Sequence, residues 1–121
     1  MGTYYKELIV WQKSILLVKH IYLVTKGFPS SELYGLTNQM RRAAVSVPSN
    51  IAEGQMRGSP AEFARFLAIA RGSLAELETQ MIIAKELGYA TQRQFEDYSS
   101  LHCEVSKMLA ALHTNISKSN N

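Results

Sequence analysis

Cysteine, charge and recognisable catalytic motifs are all scarce in this 121-residue chain. The one cysteine, Cys103, excludes an intrachain disulfide, and the expected setting is the reducing cytoplasm. Three prolines and seven glycines exclude collagen and low-complexity chains, and an apolar share of 46% excludes intrinsic disorder. The most apolar stretch, Leu8–Val24, carries Gln12, Lys13, Lys19 and His20, so it is not a bilayer span and no membrane partner is expected. No secretory pattern opens the chain. The length fits one domain, residues 1–121, with no room for a second core.

Several chemistries lack their residues. There is no Walker P-loop, no Gly-x-Gly-x-x-Gly and no Gly-x-Ser-x-Gly turn. A di-iron bundle needs Glu-x-x-His on two helices, and that motif does not occur. His102 and Cys103 are adjacent, so on a helix they point about 100° apart and cannot chelate one ion together. His20, His102 and His113 share no i, i+4 spacing. No metal, cofactor or catalytic residue is expected, and the chain reads as non-enzymatic.

Charged residues make up 19%, below the usual quarter. A chain short of charge and rich in aliphatic residues buries surface between subunits as well as within one, which predicts a homo-oligomer. The net charge of +3 is uneven. Residues 1–58 hold seven Lys/Arg against three acids, and residues 59–121 hold six against seven. A basic front half is compatible with a nucleic-acid partner.

No segment reads as a strand, and the apolar residues recur at three- and four-residue steps in four segments. The spacing predicts helices over about 5–26, 31–54, 60–87 and 92–117. Helix 1 has two adjacent apolar stripes. One is Leu8, Trp11, Ile15, Val18 and Tyr22; the other is Val10, Leu17, Ile21, Val24 and Phe28. Together they form an arc wider than one bundle seam needs. Gly27 before Phe28-Pro29 predicts the end of helix 1. In helix 2, Pro48 removes the bond to the Ala44 carbonyl, which predicts a kink or break, and Gly54 is the expected end. Ser59-Pro60-Ala61-Glu62 and Thr91-Gln92-Arg93-Gln94 read as capping boxes. Gly72 in mid-helix costs about 1 kcal/mol relative to alanine, so close approach of a neighbouring helix is expected there, helped by Ala68 and Ala75. The polar end Ser117–Asn121 is expected to fray. Short connections make sequential helices antiparallel, and the expected architecture is an all-α, up-down-up-down four-helix bundle.

The stretch Gln39–Gly54 mixes adjacent arginines with an internal proline and polar residues. Ser49 and Asn50 are expected to satisfy backbone groups freed by Pro48, and Glu53 to pair with an arginine. Glu76 is expected to partner an arginine too. Arg41 and Arg42 are neighbours, so at most one points at the core, and the other is free to grip phosphate bidentately. Arg57 beside the N-terminus at Gly58-Ser59 is a further phosphate contact. The helix 1 face carrying Lys13 and Lys19 is either a solvated surface or a phosphate-binding one. Arg65 and Arg71 stand behind these candidates. Tyr4 and Tyr5 are the candidate stacking aromatics, unless they pack the helix start.

The segment Tyr34–Gly54, then Glu62–Gln80 and Leu87-Gly88-Tyr89, closely resembles the 23S rRNA intervening-sequence proteins. The resemblance runs through most of the chain without a large gap. It implies a bacterial cytoplasmic four-helix bundle that forms a ring of five. It also implies kinship with the accessory variability protein of diversity-generating retroelements, a basic barrel that binds nucleic acid and a reverse transcriptase. Two functions follow as expectations. The first is a homo-oligomer that neutralises RNA or DNA phosphates with Lys13, Lys19, Arg41, Arg42, Arg57, Arg65 and Arg71. The second is an adaptor that docks a protein, such as a reverse transcriptase or ribosome-associated factor, through helix 1 or helix 2.

Overall fold

The four periodic segments fold as four α-helices in a computed structural model that describes residues 4–119. They are α1 (Ile9–Thr25), α2 (Leu36–Met56), α3 (Pro60–Glu86) and α4 (Gln92–Ser119). Short 3-10 turns stand at Tyr5–Glu7 and Ser30–Glu32, and no strand occurs among the described residues. Each helix packs on its chain neighbours, α1 closes against α4, and the backbones of the two diagonal pairs stay apart across the shared core. Cross-helix contacts run in opposite order along each partner. Lys13 meets Glu104 while His20 meets Gln94. Ser46 meets Ser73 while Gly54 lies against Phe66. Arg71 meets His113 while Glu78 meets His102. These three pairs are therefore antiparallel, as a bundle with short connections requires.

The core is built from Leu17 and Ile21, Met40, Val47 and Ile51, Leu67, Leu77 and Met81, and Tyr98, Val105 and Leu109. In α1 the stripe through Val10, Leu17, Ile21 and Val24 fills it. Leu8, Trp11 and Val18 are only partly buried beside that core, and Tyr22 is exposed.

Several boundaries differ from expectation. The first helix is interrupted: Leu8 is extended, so the Tyr5–Glu7 turn is separate from α1. Gly27 has no positive φ and makes no left-handed cap. The second helix begins at Leu36, not residue 31. Gly35 is non-helical, and the Glu32 carboxylate reaches forward to cap α2, accepting from the Leu36 N–H at 3.1 Å. Its other oxygen accepts from the Tyr89 hydroxyl at 3.0 Å, which raises the Tyr89 phenol above its ordinary value. The third helix ends as read, with Gly88 at φ 80° and the Tyr89 N–H donating to the Ala84 carbonyl at 2.9 Å. The fourth runs on through Ser117 to Ser119, and residues 120–121 of the expected frayed end lie outside the described residues.

The caps also divide. Thr91 and Gln94 satisfy each other's backbone N–H, a complete capping box. Ser59 accepts from the Glu62 N–H, but the Glu62 carboxylate turns to Arg65 instead of returning.

Pro48 does not break α2, which is one helix to Met56. Asn50 does not serve the orphaned Ala44 carbonyl. Its amide donates to the Ser46 carbonyl at 2.8 Å and the Ser46 hydroxyl at 2.9 Å, and that hydroxyl bonds Ser73 at 2.7 Å. The result is a polar seam between α2 and α3. Gly54 does not end the helix either: it is buried, with Phe66 and Phe63 pressed against the space a Cβ would fill. Gly72 reverses the expectation of close approach, because a Cβ there meets nothing within 4 Å. Glu76 pairs with no arginine; its carboxylate accepts from the Gln80 amide at 3.3 Å. Glu53 does pair with one, Arg57, at 2.9 Å.

Tyr98 is fully buried, and its hydroxyl lies 3.0 Å from His102 Nδ1. Burial, and behind it the Glu78 carboxylate, holds this phenol far above its ordinary value. The unfolded chain releases the proton near pH 10 while the folded chain keeps it. Stability from this group is therefore intact below about pH 10 and falls above it, by up to about 1.4 kcal/mol per pH unit. Tyr98→Phe is expected to flatten that alkaline limb in urea titrations, while costing about 1 kcal/mol at neutral pH for the lost hydrogen bond. An unchanged limb would assign the alkaline loss to other groups.

Candidate nucleic-acid interface

The seven candidate cations do not share one patch, and their neighbours separate them. At the α2–α3 turn, Arg57 pairs with Glu53 at 2.9 Å and approaches Glu62 at 4.0 Å. Arg65 pairs with Glu62 at 3.2 Å, and both guanidiniums lie over the Phe66 ring. The Arg65 hydrogen bond lowers the Glu62 carboxyl below its ordinary value. Lys13 bridges to Glu104 at 3.1 Å, tying α1 to α4. Such exposed pairs add little stability, about 0–1 kcal/mol each. They do cancel the local field that a phosphate would feel.

Arg71 faces a different cleft, of 470 Å³ between α3 and α4. Its guanidinium lies 3.0 Å from His113 Nδ1, and Glu78 and His102 line the same space. Ala68, Gly72 and Ala75 form one wall, so the small residues read as a helix contact leave an open hollow instead. His102 is nearly enclosed, held between Tyr98 and the Glu78 carboxylate, which is 3.4 Å from its Nε2. Among the described residues, no three His, Cys, Asp or Glu side chains gather where a metal ion could sit.

Arg41 and Arg42 are arranged differently. Arg41 leans toward α1. Its Nε donates to Thr25 Oγ1 at 2.9 Å, and its guanidinium lies 4.6 Å from the Tyr22 ring centroid. Thr25 is free to accept because its own hydroxyl donates to the Ile21 carbonyl at 2.7 Å. That bond and ring contact hold the guanidinium in place, and its terminal NH₂ groups make no hydrogen bond among the described residues. Arg42, one residue on, turns outward and has no hydrogen bond or ion pair among the described residues. Tyr22, Asn38, Arg41, Arg42, Val45 and Ser46 line a 510 Å³ cleft that contains no carboxylate. Arg42 and Ser46 also line a second hollow, and that one does hold an acid, Glu76. Lys19 is also exposed and without a partner among the described residues, on the outer face of α1.

Sequence reading missed Tyr22 and Asn38. By its spacing Tyr22 belongs to a packing stripe, and its meeting with Arg41 depends on the α1–α2 register. Tyr4 and Tyr5 pack on each other with ring centroids 4.6 Å apart, and Tyr5 packs on Trp11, so they support the helix start.

The surface of α1 carries two apolar features, one of which, the groove, shares Val45 with this cleft. Ile9, Leu16 and Leu23 recur every seven residues along α1 and are 61%, 45% and 70% exposed. On another face of the same helix, Trp11, Ile15 and Val18 line a 320 Å³ groove with Val45, Pro48 and Ala52 of α2.

The class so defined is a small all-α bundle with an apolar flank and an acid-free basic cleft, and none of its helices is long and apolar enough to cross a membrane. The chain belongs to the 23S rRNA-intervening sequence protein family, whose family model matches residues 6–111. In fold it is similar to a crystal structure from Bacteroides thetaiotaomicron, a protein of unknown function from the S23 ribosomal protein family. The two chains are 24% identical, the match covers 88% of this chain and 96% of that one, and the TM-score is 0.81. None of the curated proteins matches.

Proposed function

We propose that the protein is a non-enzymatic homo-oligomer that binds RNA or DNA through the Arg41–Arg42 cleft, presented once per subunit. The observation that carries this reading is two adjacent guanidiniums with no carboxylate partner in a cleft that no acid lines. Guanidinium matches phosphate bidentately, and orientation by Thr25 and Tyr22 lowers the entropy lost on binding. Assembly is supported by the α1 surface. The Ile9–Leu16–Leu23 ridge of one subunit fits the Trp11–Val45–Pro48 groove of the next. Ridge and groove are different surfaces, so the contact is head-to-tail, the kind that makes a ring when the rotation between subunits closes. Five subunits in a bacterial cytoplasmic ring are part of this reading, as the resemblance to intervening-sequence proteins implies. Repetition of a modest site around a ring makes binding multivalent.

The test is a salt titration of affinity for a labelled oligonucleotide. Counterion release predicts a slope of log K against log salt near −0.7 to −0.9 per phosphate contacted, and Arg42→Ala is expected to reduce it by about one contact per engaged subunit. Equal affinity at about 50 and 200 mM salt overturns the mechanism. Failure to bind either nucleic acid at low salt leaves the ridge and groove of α1 as a docking site for a protein partner.

A further inference from the structure

Tyr34 is 91% exposed, more than any other large hydrophobic side chain in the described structure. It stands in the turn two residues before α2 begins, four residues ahead of Asn38 in the chain. The one acid beside it, Glu32, is engaged by the Leu36 N–H and the Tyr89 hydroxyl. Within the cleft the Arg41 guanidinium carbon lies 4.6 Å from the Tyr22 ring centroid, so the pair offers a second surface for a base. We infer that the cleft takes single-stranded nucleic acid, with unpaired bases stacked on Tyr34 and on the Tyr22–Arg41 pair while Arg42 and Asn38 hold the phosphates between them. This rests on the nucleic-acid reading above and specifies its ligand.

The argument is one of accessible faces. In a duplex every base face is covered by its neighbours, so an aromatic ring outside the helix has nothing to stack on. A single strand can splay its bases onto tyrosine and guanidinium planes. A phosphate site alone would need neither Tyr34 in water nor the stacked geometry of Arg41. Hydrophobic burial inside the subunit does not explain Tyr34, because almost none of it is buried.

The probes are labelled oligouridine, its deoxy counterpart and a duplex of equal length, read by fluorescence anisotropy at one salt concentration. The two single strands distinguish an RNA ligand from a DNA one. The intact protein is expected to bind a single strand at least about five-fold tighter than the duplex. Tyr34→Ala is expected to weaken single-strand binding by about five- to 100-fold while leaving duplex affinity and the salt slope unchanged. Tyr34→Phe keeps the ring and is expected to restore binding. The exposed position leaves the fold of these variants intact, which a thermal melt verifies. Duplex binding as tight as strand binding, or a Tyr34→Ala protein that binds the strand like the parent, overturns this inference and leaves the nucleic-acid reading standing. Binding of none of the probes overturns both.

Discussion

Gly54→Ala lowers the unfolding free energy by about 1–3 kcal/mol, although it places the best helix former inside a helix. The new Cβ would lie 2.6 Å from Phe66 Cβ and 3.2 Å from Phe63 Cδ1. Both Cβ atoms are fixed by their backbones, so no rotamer change relieves the contact. Helices α2 and α3 must part near their shared turn. That loosens Phe66, whose ring carries the Arg57 and Arg65 guanidiniums. The propensity gain of alanine over glycine is about 0.8–1 kcal/mol and does not offset such a shift. Gly72→Ala is the matched control. It meets nothing within 4 Å, so it is expected to stabilise by about 0.5–1 kcal/mol. Urea midpoints of the two variants separate the cases. A Gly54→Ala protein as stable as its parent would show that the close approach is not a constraint.

These glycines show how far periodicity reaches. The four helices were legible because each buried face repeats at helical spacing, and Leu17, Leu67 and Leu109 fall where that repeat puts them. What was not legible depended on partners distant in sequence. A glycine inside an apolar repeat signals an end, a close approach or a tolerated weakness, and only the register between helices decides which. Gly54 meets Phe66 while Gly72 faces an open cleft. The start of α2 was misplaced for a similar reason, since Glu32 caps it from outside the helix.

The candidate interface was legible as residue types and not as an arrangement. Adjacency alone required Arg41 and Arg42 to diverge, and they do. Composition cannot tell a free cation from a paired one. Arg57, Arg65 and Lys13 look like Arg42 in the sequence, yet each lies against a carboxylate. Two of those three pairs are local, at i, i+3 or i, i+4, and could have been found by spacing. The Lys13–Glu104 pair joins the first helix to the last and could not. The same holds for the Tyr22–Arg41 stack, which turns an ordinary apolar position into part of the cleft.

Leu16→Glu with Leu23→Glu is expected to dissolve the assembly without unfolding the subunit. Both side chains already face water, at 45% and 70% exposure, so neither change opens a cavity in the core. In the assembled state both would be covered. Each substitution then removes up to about 1.5–3 kcal/mol of apolar burial and forces a carboxylate out of water at a further cost. A total loss of about 4 kcal/mol or more per interface lowers the association constant by roughly a thousand-fold. Light scattering is expected to give a multiple of 13.6 kDa for the parent and a single subunit for the variant, with equal helical content. Lys19→Glu, on the same face, changes charge without removing apolar surface and is expected to keep the parent's mass. The variant retains Arg41 and Arg42 untouched, yet its nucleic-acid affinity is expected to fall by about 100-fold or more, because the sites are no longer linked. A folded Leu16→Glu, Leu23→Glu protein of unchanged mass would remove the α1 ridge from the interface. A parent of 13.6 kDa would remove the ring itself, and with it the reason for a site that works by repetition.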